Sequence, residues 1–207
     1  MPSYFPIALN LEGLLCVVVG GGQIAAHRIF LLLECGAEVR VVAPNIREDI
    51  LVSNLEARCK DFEPGDLDGA YLAIAATDNS QTNSVVVAEC RKRGILCCNT
   101  ETAEAGDFII PSTARRGDLR ISITTGGASP ALAKRIRDQI EEQFGPEYEI
   151  FVSLLRELRQ DVLHNIEDAS RRRDLLKQAA EDEIALQLIR ERRIQEARDR
   201  LFHCISS

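Results

Sequence analysis

Three glycines, Gly20, Gly21 and Gly22, close an unbroken apolar run, Leu14-Leu15-Cys16-Val17-Val18-Val19, and open into Gln23-Ile24-Ala25. The spacing Gly20-x-Gly22-x-x-Ala25 suits one kind of chemistry, the gripping of a pyrophosphate. Gly20 permits a tight turn, Gly22 lets the backbone approach phosphate oxygens with no Cβ in the way, and Ala25 is small enough for a helix to pack on the strand. The free N–H groups and positive dipole end of that helix then face the anion. Other reactive side chains are scattered. His27, His164 and His203 are the three histidines, and no spaced His/Cys cluster points to a resident metal. The seven cysteines form no Cys-x-x-Cys pair. Cys16 and Cys35 read as small core residues, and adjacent Cys97-Cys98 as buried strand packing rather than a redox pair.

Such a grip needs a strand that delivers the turn and a helix that leaves it. Leu14 to Val19 predicts a short, fully buried strand. Ile24 to Cys35 predicts a helix with Gly36 just past its end, and Val39 to Ala43 a second buried strand closed by Pro44. Strand, turn, helix and strand within about 30 residues make a βαβ unit. Tyr71 to Ala76 predicts another buried strand, Gln81 to Arg93 a helix ending near Gly94, and Ile95 to Cys98 a further strand closing on Asn99. This alternation predicts an α/β fold, a Rossmann-type doubly wound parallel sheet. On such a sheet Gly20 to Gln23, Pro44 with Asn45, Thr77 with Asp78, and Asn99 share the rim of strand ends where ligands bind. The second strand ends in Ala43-Pro44-Asn45 with no acid for ribose hydroxyls, while Arg47 suits a 2′-phosphate, so this spot does not choose between NAD and NADP.

The character of the chain changes near residue 112. Leu119 to Thr124 alternates as a half-buried strand, Gly126-Gly127 interrupts, and Ser129-Pro130 reads as the cap and first position of a helix. Leu132, Ile136, Ile140 and Phe144 give that helix an apolar stripe, which Gly145-Pro146 ends. A second helical stretch carries Phe151, Leu154, Leu155, Leu158 and Val162; a third, from about Asp174, carries Leu175, Ile184, Leu188 and Ile189. The net charge of −7 argues against nucleic acid as a partner, and Arg171-Arg172-Arg173 reads as solvated helix surface. No apolar stretch reaches the roughly 18 residues of a membrane span, so no membrane partner is expected. Nothing at the N-terminus reads as an export signal, and cytoplasmic residence with reduced thiols is the expectation.

Together these segments resemble the precorrin-2 dehydrogenase/sirohydrochlorin ferrochelatase family, the N-terminal module of siroheme synthase and its stand-alone relatives. The likeness begins at Tyr4-Phe5-Pro6-Ile7 and takes in Val19-Gly20-Gly21-Gly22-Gln23-Ile24-Ala25, Leu31-Leu32-Leu33-Glu34-Cys35-Gly36-Ala37 and Val41-Val42-Ala43-Pro44. It continues through Leu72-Ala73-Ile74-Ala75-Ala76-Thr77-Asp78 with Asn83, Cys98-Asn99, Asp107-Phe108-Ile109-Ile110-Pro111-Ser112 and Thr125-Gly126-Gly127-Ala128-Ser129-Pro130-Ala131-Leu132-Ala133. It covers the chain to about residue 165 and does not extend to the methyltransferase domain of fused relatives.

The resemblance implies an oxidoreductase of siroheme (porphyrin-type tetrapyrrole) biosynthesis that uses NAD to oxidise precorrin-2 to sirohydrochlorin. Some relatives also insert Fe²⁺, which would then be a second substrate. It implies a homodimer, with an NAD-binding Rossmann-type domain over residues 1–112, a dimerisation region over 113–146 and a helical C-terminal region over 147–207. Carried over residue by residue, Gly20, Gly22, Gln23 and Ile24 contact the cofactor at the turn. Pro44 and Asn45 meet the adenosine ribose, and Thr77 and Asp78 lie beside the other half. Relatives carry Asn-Val-Val-Asp after the last strand, and that Asp is assigned to proton transfer. Here the run is Asn99-Thr100-Glu101-Thr102, so straight counting selects Thr102, and a one-residue deletion, suggested by the shorter spacing to Phe108, selects Glu101 as the catalytic carboxylate. Glu104 and Asp107 are nearby acids. The substrate's carboxylates call for cations and free N–H groups, for which Arg115, Arg116, Lys134 and Arg135, with the helix opening at Ser129, are candidates. Thr125 stands where the family usually has Ser. A short-chain dehydrogenase is excluded because Tyr4, Tyr71 and Tyr148 lack a lysine four places on. A non-catalytic NAD-binding sensor or scaffold stays open at this point.

Overall fold

The computed structural model describes residues 4–51 and 54–203. The chain divides into two compact units, Met1–Ile110 and Pro111–Ser207. In the first, β-branched and small apolar residues build five parallel strands: β1 (Leu15–Val19), β2 (Glu38–Val42), β3 (Glu56–Arg58), β4 (Leu72–Ala75) and β5 (Leu96–Asn99). Their order is β3-β2-β1-β4-β5, and every pairing is parallel. The direction of winding therefore reverses between β1 and β4, the switch point where doubly wound sheets bind ligands.

Alternation along each central strand feeds two cores. Cys16, Val18, Val39, Val41, Leu72, Ile74 and Cys98 pack with Ala25, Ala26, Ile29 and Leu32 of α1 (Gln23–Leu33). Val17, Val19, Val42, Ala73, Ala75 and Cys97 pack with Val86, Val87 and Cys90 of α3 (Ser80–Arg93), on the other face. Strands covered on both faces are apolar at most positions, which is why they read as near-continuous runs, with Arg40 of β2 an exception. Between them lie the one-turn α2 (Glu48–Leu51) and the short β3. Neither is foreshadowed by hydrophobic period. The β3 sequence Glu-Ala-Arg is mostly polar, because only Arg40, Val41 and Val42 of β2 pair with it at the sheet's edge.

Burial also answers the cysteine question. Cys97 and Cys98 are 0% and 5% exposed. Burial pushes the Cys16 thiol up to about 11 and raises that of Cys98; a hydrogen bond with Cys90, then burial, raises that of Cys97. A disulfide reagent added to the native protein is expected to reach exposed Cys59 and to leave Cys16, Cys97 and Cys98 unmodified until denaturant is added, as read by peptide mass mapping.

The second unit opens with an antiparallel hairpin of β6 (Ser112–Arg116) and β7 (Leu119–Ile123), joined through Gly117-Asp118. The residue pattern marks only the second of these strands. The two-residue Gly-Asp loop was the available signal for the first. Ser129 accepts from the Leu132 N–H (3.2 Å) and starts α4 (Pro130–Gln143), as its type and the following proline predict. Next comes α5 (Glu147–Asn165), whose Phe151, Leu154, Leu158 and Val162 are buried. The single third helix expected from about Asp174 is instead three: α6 (Ala169–Ala180), α7 (Glu183–Arg190) and α8 (Ile194–His203). Asp182 ends the continuity by accepting the N–H groups of Ile184 and Ala185, and Arg192 takes a left-handed φ of 63°. A helical period survives such breaks because the buried faces of all three helices join one core with that of α5. No helix among the described residues is long and apolar enough to cross a membrane.

Candidate functional site

The turn after β1 shows what each glycine answers to. Gly20 has φ +132°, and a Cβ there would stand 2.2 Å from the Ala76 carbonyl oxygen at the end of β4. A Cβ on Gly21 would stand 2.0 Å from the Asn45 carbonyl oxygen, and the Gly21 carbonyl accepts the Arg47 N–H at 3.1 Å. Both are glycines because neighbouring backbone leaves no room. Gly22 differs. Its φ of −87° is open to any residue, and a Cβ there would meet nothing within 4 Å. No atom of the described residues requires glycine at that place, so the requirement points to something that approaches from outside.

Gly22 is also the N-cap of α1, and no side chain caps that helix. The caps of α3 and α4 are Asn79 and Ser129, whose side chains accept first-turn N–H groups. At α1 the first-turn N–H groups have no such acceptor, no acid stands in that turn, and Gln23 and Ile24 are exposed, Ile24 at 57%. Ala25 is fully buried. An open backbone cradle with unclaimed donors, at the switch point, fits a dinucleotide's pyrophosphate.

All the loops predicted to share the rim do so, since β1, β2, β4 and β5 run parallel and end at the same edge. Pro44 and Asn45 are exposed just past β2, with Asn45 packed on the glycine turn. Thr77 follows β4, and exposed Asp78 comes next. Asn99 ends β5 nearly buried, and its Oδ1 accepts the N–H groups of Glu101 (2.9 Å) and Thr102 (3.2 Å), which folds the following loop back over the strand.

A single buried amide organises this edge. Asn83, fully buried on α3, accepts at Oδ1 from the Thr77 N–H (3.2 Å) and hydroxyl (2.7 Å). Its Nδ2 donates to the Thr77 carbonyl (3.0 Å) and to Glu101 Oε2 (3.1 Å). The Ser80 hydroxyl donates to Glu101 Oε1. Glu101 is thus an exposed carboxylate with each oxygen held by one donor. The Ser80 bond first, then that from Asn83, keeps it below the usual carboxylate range. Thr102 and Glu104 are exposed, and Asp107 is committed to the Cys97 N–H at 3.0 Å. A polar residue at a buried helix position was the signal for Asn83; its partners could not be read. Asn83→Ala is expected to cost about 2 kcal/mol by stranding the Thr77 N–H and carbonyl, a loss that urea denaturation would register.

The remaining candidates belong to the second unit. Arg115 and Arg116 are half-buried on β6. Arg116 donates to the carbonyls of Arg115 and Glu141, each at 2.7 Å, which ties the hairpin to α4. Thr125 Oγ1 accepts the Ser129 N–H at 2.9 Å, and Ser129 caps α4 as described, so this pair shapes the helix entry. Lys134 and Arg135 are exposed on α4.

Comparison with known proteins follows the same division. Residues 7–112 match the family described as "Putative NAD(P)-binding", and residues 116–143 match "Sirohaem biosynthesis protein central". Siroheme synthase of Methylobacillus flagellatus is 36% identical over 172 residues, which cover 81% of this chain and 37% of that protein. Siroheme synthase of Methylococcus capsulatus is 35% identical over 193 residues, 89% of this chain and 40% of that protein. The chain therefore spans well under half the length of these curated relatives. A solved structure named SirC, precorrin-2 dehydrogenase, is similar with a TM-score of 0.77 and 28% identity, and the match covers 95% of this chain and 100% of that one.

Proposed function

The chain belongs to the siroheme-biosynthesis family of NAD(P)-binding proteins, that of the N-terminal module of siroheme synthase and its stand-alone relatives, and from that premise we propose that it is an NAD-dependent precorrin-2 dehydrogenase. The observation that carries the proposal is the pairing, on one rim, of the open cradle at Gly22 with the carboxylate of Glu101. NAD, when bound, supplies the acceptor for the two electrons that leave precorrin-2 with a hydride. The residues of the chain do the rest. The amides after Gly22 hold the diphosphate, Gly20, Gln23 and Ile24 bound it, and Pro44 and Asn45 flank the adenosine ribose. Thr77 and Asp78 line the other half of the cofactor. Glu101, ionised at neutral pH, receives the proton that the macrocycle loses as it becomes sirohydrochlorin.

In this reading Arg115, Thr125, Ser129 and Lys134 meet the acidic side chains of the tetrapyrrole, and Arg116 holds the hairpin that presents Arg115. Residues 113–146 form the contact of a homodimer, and the protein works in the cytoplasm. Fe²⁺ enters as a second substrate if the chain also metallates its product. Purified protein supplied with precorrin-2 and NAD should produce the sirohydrochlorin absorbance with one NADH formed per ring oxidised. NAD binding without any oxidation would instead support the sensor reading. Repeating the assay with Fe²⁺ under anaerobic conditions reads metal insertion separately, and size-exclusion with light scattering reads the dimer.

A further inference from the structure

The end of β2 holds charge that takes no part in the proposed oxidation. In a dinucleotide gripped by the turn after β1, the adenosine ribose lies at the carboxyl end of β2. From Ala43 to Ile46 there is no acid to accept from a 2′,3′-diol, the usual mark of NAD preference. The first charged residue is Arg47. Its N–H donates to the Gly21 carbonyl at 3.1 Å, so its backbone is fastened to the lip of the glycine turn. A guanidinium at this place is the usual device for a ribose 2′-phosphate.

That guanidinium is engaged elsewhere. Arg47 Nε donates to Asp49 Oδ1 at 3.0 Å and Nη2 to Asp49 Oδ2 at 2.8 Å, a two-bond fork. The side chains of Arg47 and Asp49 are 49% and 45% exposed. An ion pair this open contributes little to folding, so stability does not account for it. Its consequence is electrostatic. Arg47-Glu48-Asp49 carries one positive and two negative charges, a local surplus of negative charge beside the ribose position.

We propose that Asp49 sets the choice between the pyridine nucleotides: by holding Arg47 in a fork beside the glycine turn, it withholds that cation from a 2′-phosphate and opposes the phosphate with its own charge. The proposal rests on the dinucleotide reading of the turn and deepens it, naming the nucleotide with a plain 2′-hydroxyl as the ligand the site selects. Glu48 adds to the repulsion but takes no part in the fork.

The test is calorimetric titration of NAD and NADP into the wild-type protein, Asp49→Asn, and the double variant Arg47→Ala/Asp49→Asn. Wild type should favour NAD. In Asp49→Asn the ratio of the NADP to the NAD dissociation constant should fall about tenfold, as expected when a charged donor becomes available to a phosphate and a like charge is removed. Removing Arg47 as well should cancel most of that gain. An unchanged ratio in Asp49→Asn, with NAD still binding, overturns the proposal. So does a gain that survives loss of Arg47, because the fork would then be irrelevant. If folded wild-type protein binds neither nucleotide, the dinucleotide reading itself fails and takes this inference with it.

Discussion

Gly22→Ala is expected to weaken NAD binding at least about tenfold while barely moving the urea midpoint, because the added methyl meets nothing within 4 Å among the described residues and stands where phosphate oxygens must approach. Two small effects on stability nearly cancel. Alanine is a poorer N-cap than glycine by some tenths of a kcal/mol, and it restricts the unfolded chain by about 0.4–1 kcal/mol in the folded state's favour. Gly20→Ala is the contrasting case. At φ +132° and 2.2 Å from the Ala76 carbonyl, its Cβ forces β1 and β4 apart or strains the turn, at a cost of about 3 kcal/mol or more. Calorimetry with NAD and urea denaturation on both variants separate a residue kept for a ligand from one kept for the fold. A Gly22→Ala protein that binds NAD like wild type would mean the pyrophosphate does not use this cradle.

Turnover of precorrin-2 should fall about a hundredfold in Glu101→Gln, the usual range for loss of a positioned proton acceptor. NAD affinity should hold, since the cradle at Gly22 is formed by other atoms. The pH profile tests the same assignment. Donors from Ser80 and Asn83 favour the charged carboxylate, so its pKa lies below the ordinary 4.5. A base with a lowered pKa stays competent across the neutral range and loses activity only as pH falls through that lowered value. Ser80→Ala removes the larger of the two causes, so the acid limb should move to higher pH. Thr102→Val decides between the two ways of counting along the loop. Full activity in Glu101→Gln together with loss in Thr102→Val would transfer the role to Thr102.

Much of this was legible in the residues. The run Leu14 to Val19, the glycine spacing and the small Ala25 agree with one another, so the strand, turn and helix could be read from their combination. Buried parallel strands are apolar on both faces, which made β1, β2, β4 and β5 visible and placed their ends on one rim. Edges were the weak point. β3 is mostly polar because it pairs on one side only, and β6, Ser-Thr-Ala-Arg-Arg, has a single apolar residue, so hydrophobic period marks neither. Arg192 in a left-handed conformation gives no sign in its residue type that a helix ends there.

The family resemblance and the Gly20-x-Gly22-x-x-Ala25 spacing were properties of the sequence alone, since local backbone chemistry demands those residue types wherever they stand. The spacing already separates Gly20, kept for the turn, from Gly22, left open to approach; that Gly21 is also held by packing was decided by the tertiary structure, because only the fold brings the Asn45 carbonyl to it. The same holds for Glu101. It lies some 20 positions from Ser80 and Asn83, and the crossover from β4 through α3 to β5 is what brings the three together. Its charge state at the rim therefore depends on long-range geometry that composition and spacing do not encode.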